Sequence, residues 1–477
     1  REMKKVSITV LALLIIIMPA LVFAGNTGMD FGGNLDNNTA AGSTFITGSS
    51  SPQASFSQSD KISLWFTSFM GKNLTFTAGG SYSFFYSYDT NAGEIIPYLM
   101  DIDFLNLYGQ FPNLDTEKTN GQAPSLFSFN LGRFSAEDFS KYVLDHRIDG
   151  FKLSFNYLNA VFSTALGYTG FLVKPNSSIL LSKADYTDSN NSKVLFASPR
   201  VVGIVDLTLI NIFKQELSFS LLFQQDLRSA FSGTLFGESL YPAPIIETGE
   251  ETLDSSAGGL VDTQYIGLGV KGMVIPSLYY RVFSYLGTGR TLSYVNSVYT
   301  YEPILSFLGG ARLRYFINNF FNSYAQLNFL YASGDRTDSS FVEGNTDAHS
   351  NAFLPISSYS TGLVFSPKLE NIFLIKSKFS AVPLKKMQTF ISAYSFFRST
   401  AGPISEAGIN ANSTSLYLGT EIDGTMNFKP FSDLGLAFST GVFIPNTSDP
   451  AVSNPGAFNA TERGIEVKAK LEFSFAF

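Results

Sequence analysis

Hydrophobic and polar residues alternate through most of this chain with the two-residue period of a strand whose faces meet different surroundings. The last segment is the plainest case. Ile465, Val467, Ala469, Leu471, Phe473, Phe475 and Phe477 fall on one face, and Glu466, Lys468, Lys470, Glu472 and Ser474 on the other. Runs of this kind cover 61–69, 73–87, 100–109, 125–134, 149–157, 160–171, 201–213 and 216–226. They continue at 263–273, 278–287, 304–316, 323–332, 372–382, 388–397, 413–428, 434–443 and 464–477. Many reach about ten residues, the length of a tilted membrane strand rather than the five or six of a globular one. After residue 24 there is no uninterrupted apolar run of about 18 residues, so a bundle of membrane helices is excluded.

The spacing of the runs sets the topology. Short links at 158–159, 214–215, 275–276 and 429–433 alternate with long ones at 172–199, 229–261, 333–370 and 444–463. In an outer-membrane barrel the short turns are periplasmic, the long loops are extracellular and the strand number is even. With both termini periplasmic, one more strand must precede Lys61, and we place it at Gly42–Ser50. The expected fold is therefore all-β, a single-chain transmembrane antiparallel β-barrel of about 18 strands. It occupies 42–477, behind a flexible periplasmic segment at 25–41.

Alternation alone fits a soluble sandwich equally well; the N-terminus and the composition decide. Met3-Lys4-Lys5, an apolar run from Val6 to Phe23, and the exit Val22-Phe23-Ala24 have the anatomy of a secretory signal peptide, so residues 1–24 are expected to be removed. Aromatic residues make up 15% of the chain and charged residues 15%, against roughly 25% charged in a soluble domain. So much apolar surface excludes disorder. With no cysteine and two histidines, disulfide scaffolds, thiolate sites and multi-histidine metal centres are excluded, and no cofactor or metal is expected. A net charge of −7 argues against nucleic acid.

Strand phase then assigns the charges. Lys or Arg facing lipid at mid-membrane costs about 2–4 kcal/mol, so charged strand residues belong in the lumen. Leu305, Phe307, Ala311, Leu313 and Tyr315 face outward, which turns Arg312 and Arg314 inward. Ile375, Phe379 and Ala381 do the same for Lys376 and Lys378. Lys152, Lys271, Arg281, Lys468 and Lys470 follow, as do the acids Glu421 and Asp423. Rings or ladders of such charges select ions in a pore. Trp65, Phe69 and Phe283 also face inward, while Arg133, Arg147 and Asp149 fit the outward phase and are placed at the extracellular rim, where a bulge can turn Arg133 inward.

Several short motifs, in order, carry a resemblance. They are Leu131-Gly132-Arg133-Phe134, Arg147-Ile148-Asp149-Gly150-Phe151, Gly167-Tyr168-Thr169-Gly170, Tyr331-Ala332-Ser333-Gly334-Asp335, Leu418 to Asp423, and Gly441 to Pro445. This series is similar to the alginate-export-type outer-membrane porins, an 18-stranded barrel family. The resemblance implies a monomeric pore with a charged lumen gated by loops, although this wall is less basic than that of the polyanion exporters.

The expected function is passive diffusion of small hydrophilic, charged solutes across the bacterial outer membrane. The partners are outer-membrane lipids, the solutes or ions themselves, and the barrel-assembly machinery reading the strand that ends on Phe477. A hydrophobic-substrate transporter and a closed structural or adhesive barrel are the alternatives. Glu247, Glu250, Glu251 and Asp254 form an acidic loop cluster able to bind a divalent cation, to fold in as an acidic constriction or to lie solvated. An enzyme finds little support: His146 lies beside Asp145 in an expected loop, without a serine elbow. Gly267, Gly269 and Gly272 spell a dinucleotide fingerprint, but inside one alternating strand rather than before a helix.

Overall fold

The computed structural model describes residues 28–49, 51–89, 92–112, 126–182, 185, 189, 191, 194–227, 234–235, 238–239, 261–295, 298–336, 349–449 and 455–477. The expected signal peptide and the acidic cluster Glu247, Glu250, Glu251 and Asp254 lie outside them.

Eighteen strands among the described residues form one sheet. They are β1 (Met29–Phe45), β2 (Gln53–Met70), β3 (Leu74–Asp89), β4 (Ala92–Pro112), β5 (Leu126–Glu137) and β6 (Asp145–Tyr157). Next come β7 (Ala160–Tyr168), β8 (Arg200–Ile212), β9 (Gln215–Asp226), β10 (Val261–Ile275), β11 (Leu278–Val295) and β12 (Val298–Ile317). The last are β13 (Ser323–Ala332), β14 (Ile372–Leu384), β15 (Met387–Phe397), β16 (Tyr417–Phe428), β17 (Leu434–Pro445) and β18 (Ile465–Ala476). Each is antiparallel to its predecessor, and β18 pairs back onto β1 from Phe45↔Ile465 to Asn34↔Ala476, so the barrel is closed. Leu64, Leu131, Leu268, Leu305, Ile391 and Leu471 stand exposed on the outer wall. So much apolar surface suits lipid and not water.

The first strand starts earlier than the sequence reading placed it. Met29–Phe45 replaces the expected Gly42–Ser50 and takes in most of the segment at 25–41 read as flexible. Its Gly, Asn and Asp residues hide the alternation. Both its edges are nevertheless paired, with β2 and with β18, so backbone hydrogen bonds hold a strand that side chains barely advertise.

No single insert is long enough to plug the barrel, yet several loops together fill one end of it. Val143, Leu144, Ile179, Phe353, Ile356, Phe365, Leu369 and Phe458, from the loop end opposite the termini, are buried against inward residues of the wall such as Tyr265, Tyr285, Leu308 and Phe396. The apolar residues of these loops gain burial only by turning inward.

The β5–β6 hairpin makes the sharpest turn. β5 last pairs with β4 at Leu105↔Arg133, and β6 last pairs with β7 at Asp149↔Tyr168. Beyond those points residues 134–148 have no neighbouring strand among the described residues and form a tongue inside the lumen. Gly132, Gly150 and Gly167 lie in one row at the bend. Gly132 adopts φ +116°, and a Cβ on Gly150 would lie 2.0 Å from the Leu166 carbonyl oxygen, so glycine is required at both. Replacing Gly150 with Ala is expected to cost about 1–3 kcal/mol, the usual range for overpacking, read from the unfolding midpoint in detergent micelles. An unchanged midpoint would show that the bend tolerates a side chain.

The tongue explains why Arg133, Arg147 and Asp149 are not rim charges. They do sit in the outward phase of their strands, but once the hairpin bends inward that face looks onto the inner side of β4. Arg133 pairs with Asp149 at 2.8 Å and Asp101 at 3.4 Å, and Arg147 with Asp103 at 2.8 Å. Lys61 of β2 reaches Asp103 at 3.1 Å.

Candidate functional site

Across the lumen, β12, β13 and β14 present two rows of polar side chains. Register aligns Arg312, Asn328 and Lys376 in one row, and Arg314, Gln326 and Lys378 in the next. Arg312 Nε donates to Asn328 Oδ1 at 3.0 Å, and Arg314 Nε to Gln326 Oε1 at 2.8 Å. The Lys376 ammonium lies 4.5 Å from the Tyr394 ring centre, and that of Lys378 lies 3.8 Å from Phe390. Neutral amides and ring faces thus orient all four cations without cancelling their charge.

These cations line an alcove of about 230 Å³ with Tyr142, Tyr324, Tyr359 and Thr361. Among the described residues, no carboxylate lines it. Tyr142 comes from the tongue and Tyr359 from the loop after β13; their rings meet edge to face at 4.7 Å. Burial, then the neighbouring Tyr142, raises Tyr359 above the ordinary phenol range, so its hydroxyl stays neutral. A volume of this size holds several waters or one small solute.

The tongue is pinned to the far wall. Asp138 accepts from the backbone amides of Ser140, Lys141, Val143 and Leu144 and from the Tyr285 hydroxyl. Phe139 stacks on Tyr285 at 5.3 Å and Tyr142 on Phe283 at 5.1 Å, and Arg281 donates to the Phe139 carbonyl. Arg281 is therefore a tether for the tongue. A Cβ on Gly267 would strike the Tyr285 ring and one on Gly269 the Phe139 ring, so the glycine pattern of β10 makes room for aromatic packing.

The remaining candidates lie elsewhere. Lys271 pairs with Glu216 at 2.6 Å and Lys470 with Glu472 at 2.8 Å, while Lys152 and Lys468 occupy inner wall positions outside the alcove. Glu421 and Asp423 do point inward but do not line open lumen. Both are buried, and Glu421 accepts from the amides of Leu363, Val364 and Phe365 at 2.7, 3.1 and 2.7 Å. Glu421 anchors a loop. Phase found its direction and missed the chain that covers it.

Two searches of sequence find nothing: neither known family models nor curated proteins match this chain. Solved structures do match in fold. OccK8 (OprE) of Pseudomonas aeruginosa superposes with a TM-score of 0.52 at 10% identity, covering 94% of this chain and 98% of that one. OccK9 (OpdG) of the same organism gives 0.51 at 9% identity over 94% and 98%, and OccK7 (OpdD) gives 0.50 at 9% over 95% and 99%. At such identity they establish a shared barrel. The alginate-export resemblance rests on the short motifs alone, and several of these build the structure just described. Leu131–Phe134, Arg147–Phe151 and Gly167 form the bend of the tongue, and Leu418–Asp423 carries the loop anchor.

The sequence reading missed Tyr142 and Tyr359, since both lie in loops. The signal was present: Val143-Leu144 and Phe353-Leu354 are apolar pairs that a solvated loop has no reason to carry. His146, expected in a loop, lies in β6 and is buried, with Nδ1 facing Ser178 Oγ at 2.9 Å. Its Nε2 has no hydrogen-bond partner among the described residues.

Proposed function

We propose that this chain is an outer-membrane channel through which small hydrophilic anions diffuse passively. One observation carries the reading: Arg312, Arg314, Lys376 and Lys378 line one alcove beneath the tongue, with no carboxylate among its described lining residues. A solute crossing the narrowed lumen meets four clustered cations there, and low-dielectric walls focus that field. The fold shared with the Pseudomonas aeruginosa Occ proteins is compatible with this reading. The alginate-export type is a narrower possibility, and four cations at one level suit a small anion better than a long polyanion.

Single-channel recording of the refolded protein in a planar bilayer tests it. Discrete openings are expected, with a reversal potential of the sign that anion preference gives in a salt gradient. Absence of current from a folded barrel would favour a closed surface barrel, and cation preference would overturn the role of the alcove.

A further inference from the structure

Where the tongue leaves the wall, the wall loses its backbone ladder. Among the described residues, β4 above Leu105 pairs only with β3, and β7 ends at Tyr168. Side chains close the resulting seam. Arg133 donates to the Ile102 carbonyl at 2.7 Å and the Phe171 carbonyl at 3.0 Å, and Arg147 to the Asp103 carbonyl at 3.2 Å. Asn176, from the loop after β7, donates to Asp101 Oδ2 at 2.8 Å. Such contacts separate one by one, whereas a strand ladder parts only as a unit.

The two sides of the seam differ in chemistry. On the outer wall Phe171 is 60% exposed, and Leu105, Leu131, Phe151 and Leu166 are exposed around it. The polar side holds three cations and three carboxylates; Arg133 is buried at 7%, but the other two cations are more open than any of the carboxylates. The side chains of Lys61 and Arg147 are 35% and 26% exposed, against 3% and 12% for Asp101 and Asp103. An anionic head group can replace a carboxylate partner on these cations through charge-assisted hydrogen bonds, while an alkyl chain lies on the apolar rim.

We infer that the seam between β4 and β7 is a lateral port for an amphiphile with an anionic head group, the head held at Arg147 and Lys61 and the chain in the bilayer. The inference rests on the barrel's lying in a membrane and not on ion conduction through its lumen.

The test uses the full-length protein in liposomes with palmitic acid carrying a diazirine at the chain end. Photolysis and peptide mapping are expected to place several-fold more label on Leu105, Leu131 and Phe171 than on Leu471 and Phe473 of β18. The methyl ester of the same probe should lose that preference. Even labelling around the wall, or an ester that labels the rim equally, overturns the port. The chain has no cysteine, so Asp101→Cys with Asn176→Cys supplies a reversible lock. Oxidation should reduce rim labelling and a reductant restore it within the same sample, which separates locking from misfolding; labelling indifferent to oxidation also overturns the port. Rim labelling without single-channel current would sink the diffusion reading alone, and current with even labelling would sink the port alone.

Discussion

Replacing Lys376 and Lys378 together with Glu is expected to turn an anion-preferring channel toward cations. The substitution leaves Arg312 and Arg314 facing two carboxylates across Asn328 and Gln326, so the alcove becomes formally neutral. Each unit charge at about 7 Å in water is worth roughly 0.6 kcal/mol, and four units of change sum to about 2 kcal/mol. That corresponds to at least a tenfold change in the anion-to-cation permeability ratio, because about 1.4 kcal/mol is a factor of ten. Recordings belong near 0.1 M salt, where the screening length is about 10 Å; at 1 M it falls to about 3 Å and the shift should shrink. Lys470→Glu is the comparison, since Lys470 is already paired with Glu472 and lies outside the alcove. An equal shift from that variant would mean that overall wall charge, and not the alcove, sets selectivity.

The second large effect is expected at Glu421. Its carboxylate holds three consecutive amides, and the loop so held inserts Phe365 between the wall and Arg463. Phe365 stacks on Phe443 at 4.3 Å, meets Phe396 edge-on at 4.9 Å, and lies 4.7 Å from the Arg463 guanidinium. Glu421→Ala leaves three amide donors without an acceptor, one buried and two part-buried, at up to about 1–3 kcal/mol each if the loop stays in place. The loop can escape that penalty by leaving the lumen, where water satisfies the amides. Thermal stability should therefore fall by less than the sum, while single-channel conductance rises and the loop becomes open to protease. Glu421→Gln keeps one strong acceptor and should lie between wild type and Ala. Unchanged conductance with unchanged protease resistance would show that aromatic packing alone holds the loop.

The barrel was legible because a closed sheet between lipid and water imposes a strict period, and seventeen strands obey it. β1 was obscure because its Asn- and Gly-rich sequence relies on backbone pairing to both neighbours. The four alcove cations were legible by phase, since the apolar residues between them on β12 and β14 fix the lipid side. Arg133 and Arg147 were misplaced for a definite reason. Phase tells which face of a strand a residue occupies, but the bend at Gly132 and Gly150 changes what that face looks upon. Glu421 shows the complementary limit: its inward direction follows from alternation, while its burial depends on a loop some 56 to 58 residues away.

The tongue also orders events in time. Contacts on its back are made early along the chain: Arg133 meets Asp149 across 16 residues and Arg147 meets Asp103 across 44. Those on its front span 142 residues from Phe139 to Arg281, 147 from Asp138 to Tyr285 and 212 from Asp145 to Ser357. Each doubling of the closed loop costs about 0.6 kcal/mol, so the front contacts carry roughly 1.5 kcal/mol more closure entropy than the back ones. The charged back of the hairpin can thus be satisfied by strands that precede or adjoin it while β11 and the loop after β13 are still unfolded. The far wall then closes upon a hairpin already bent to receive it, and the last contacts to form are the ones that narrow the channel.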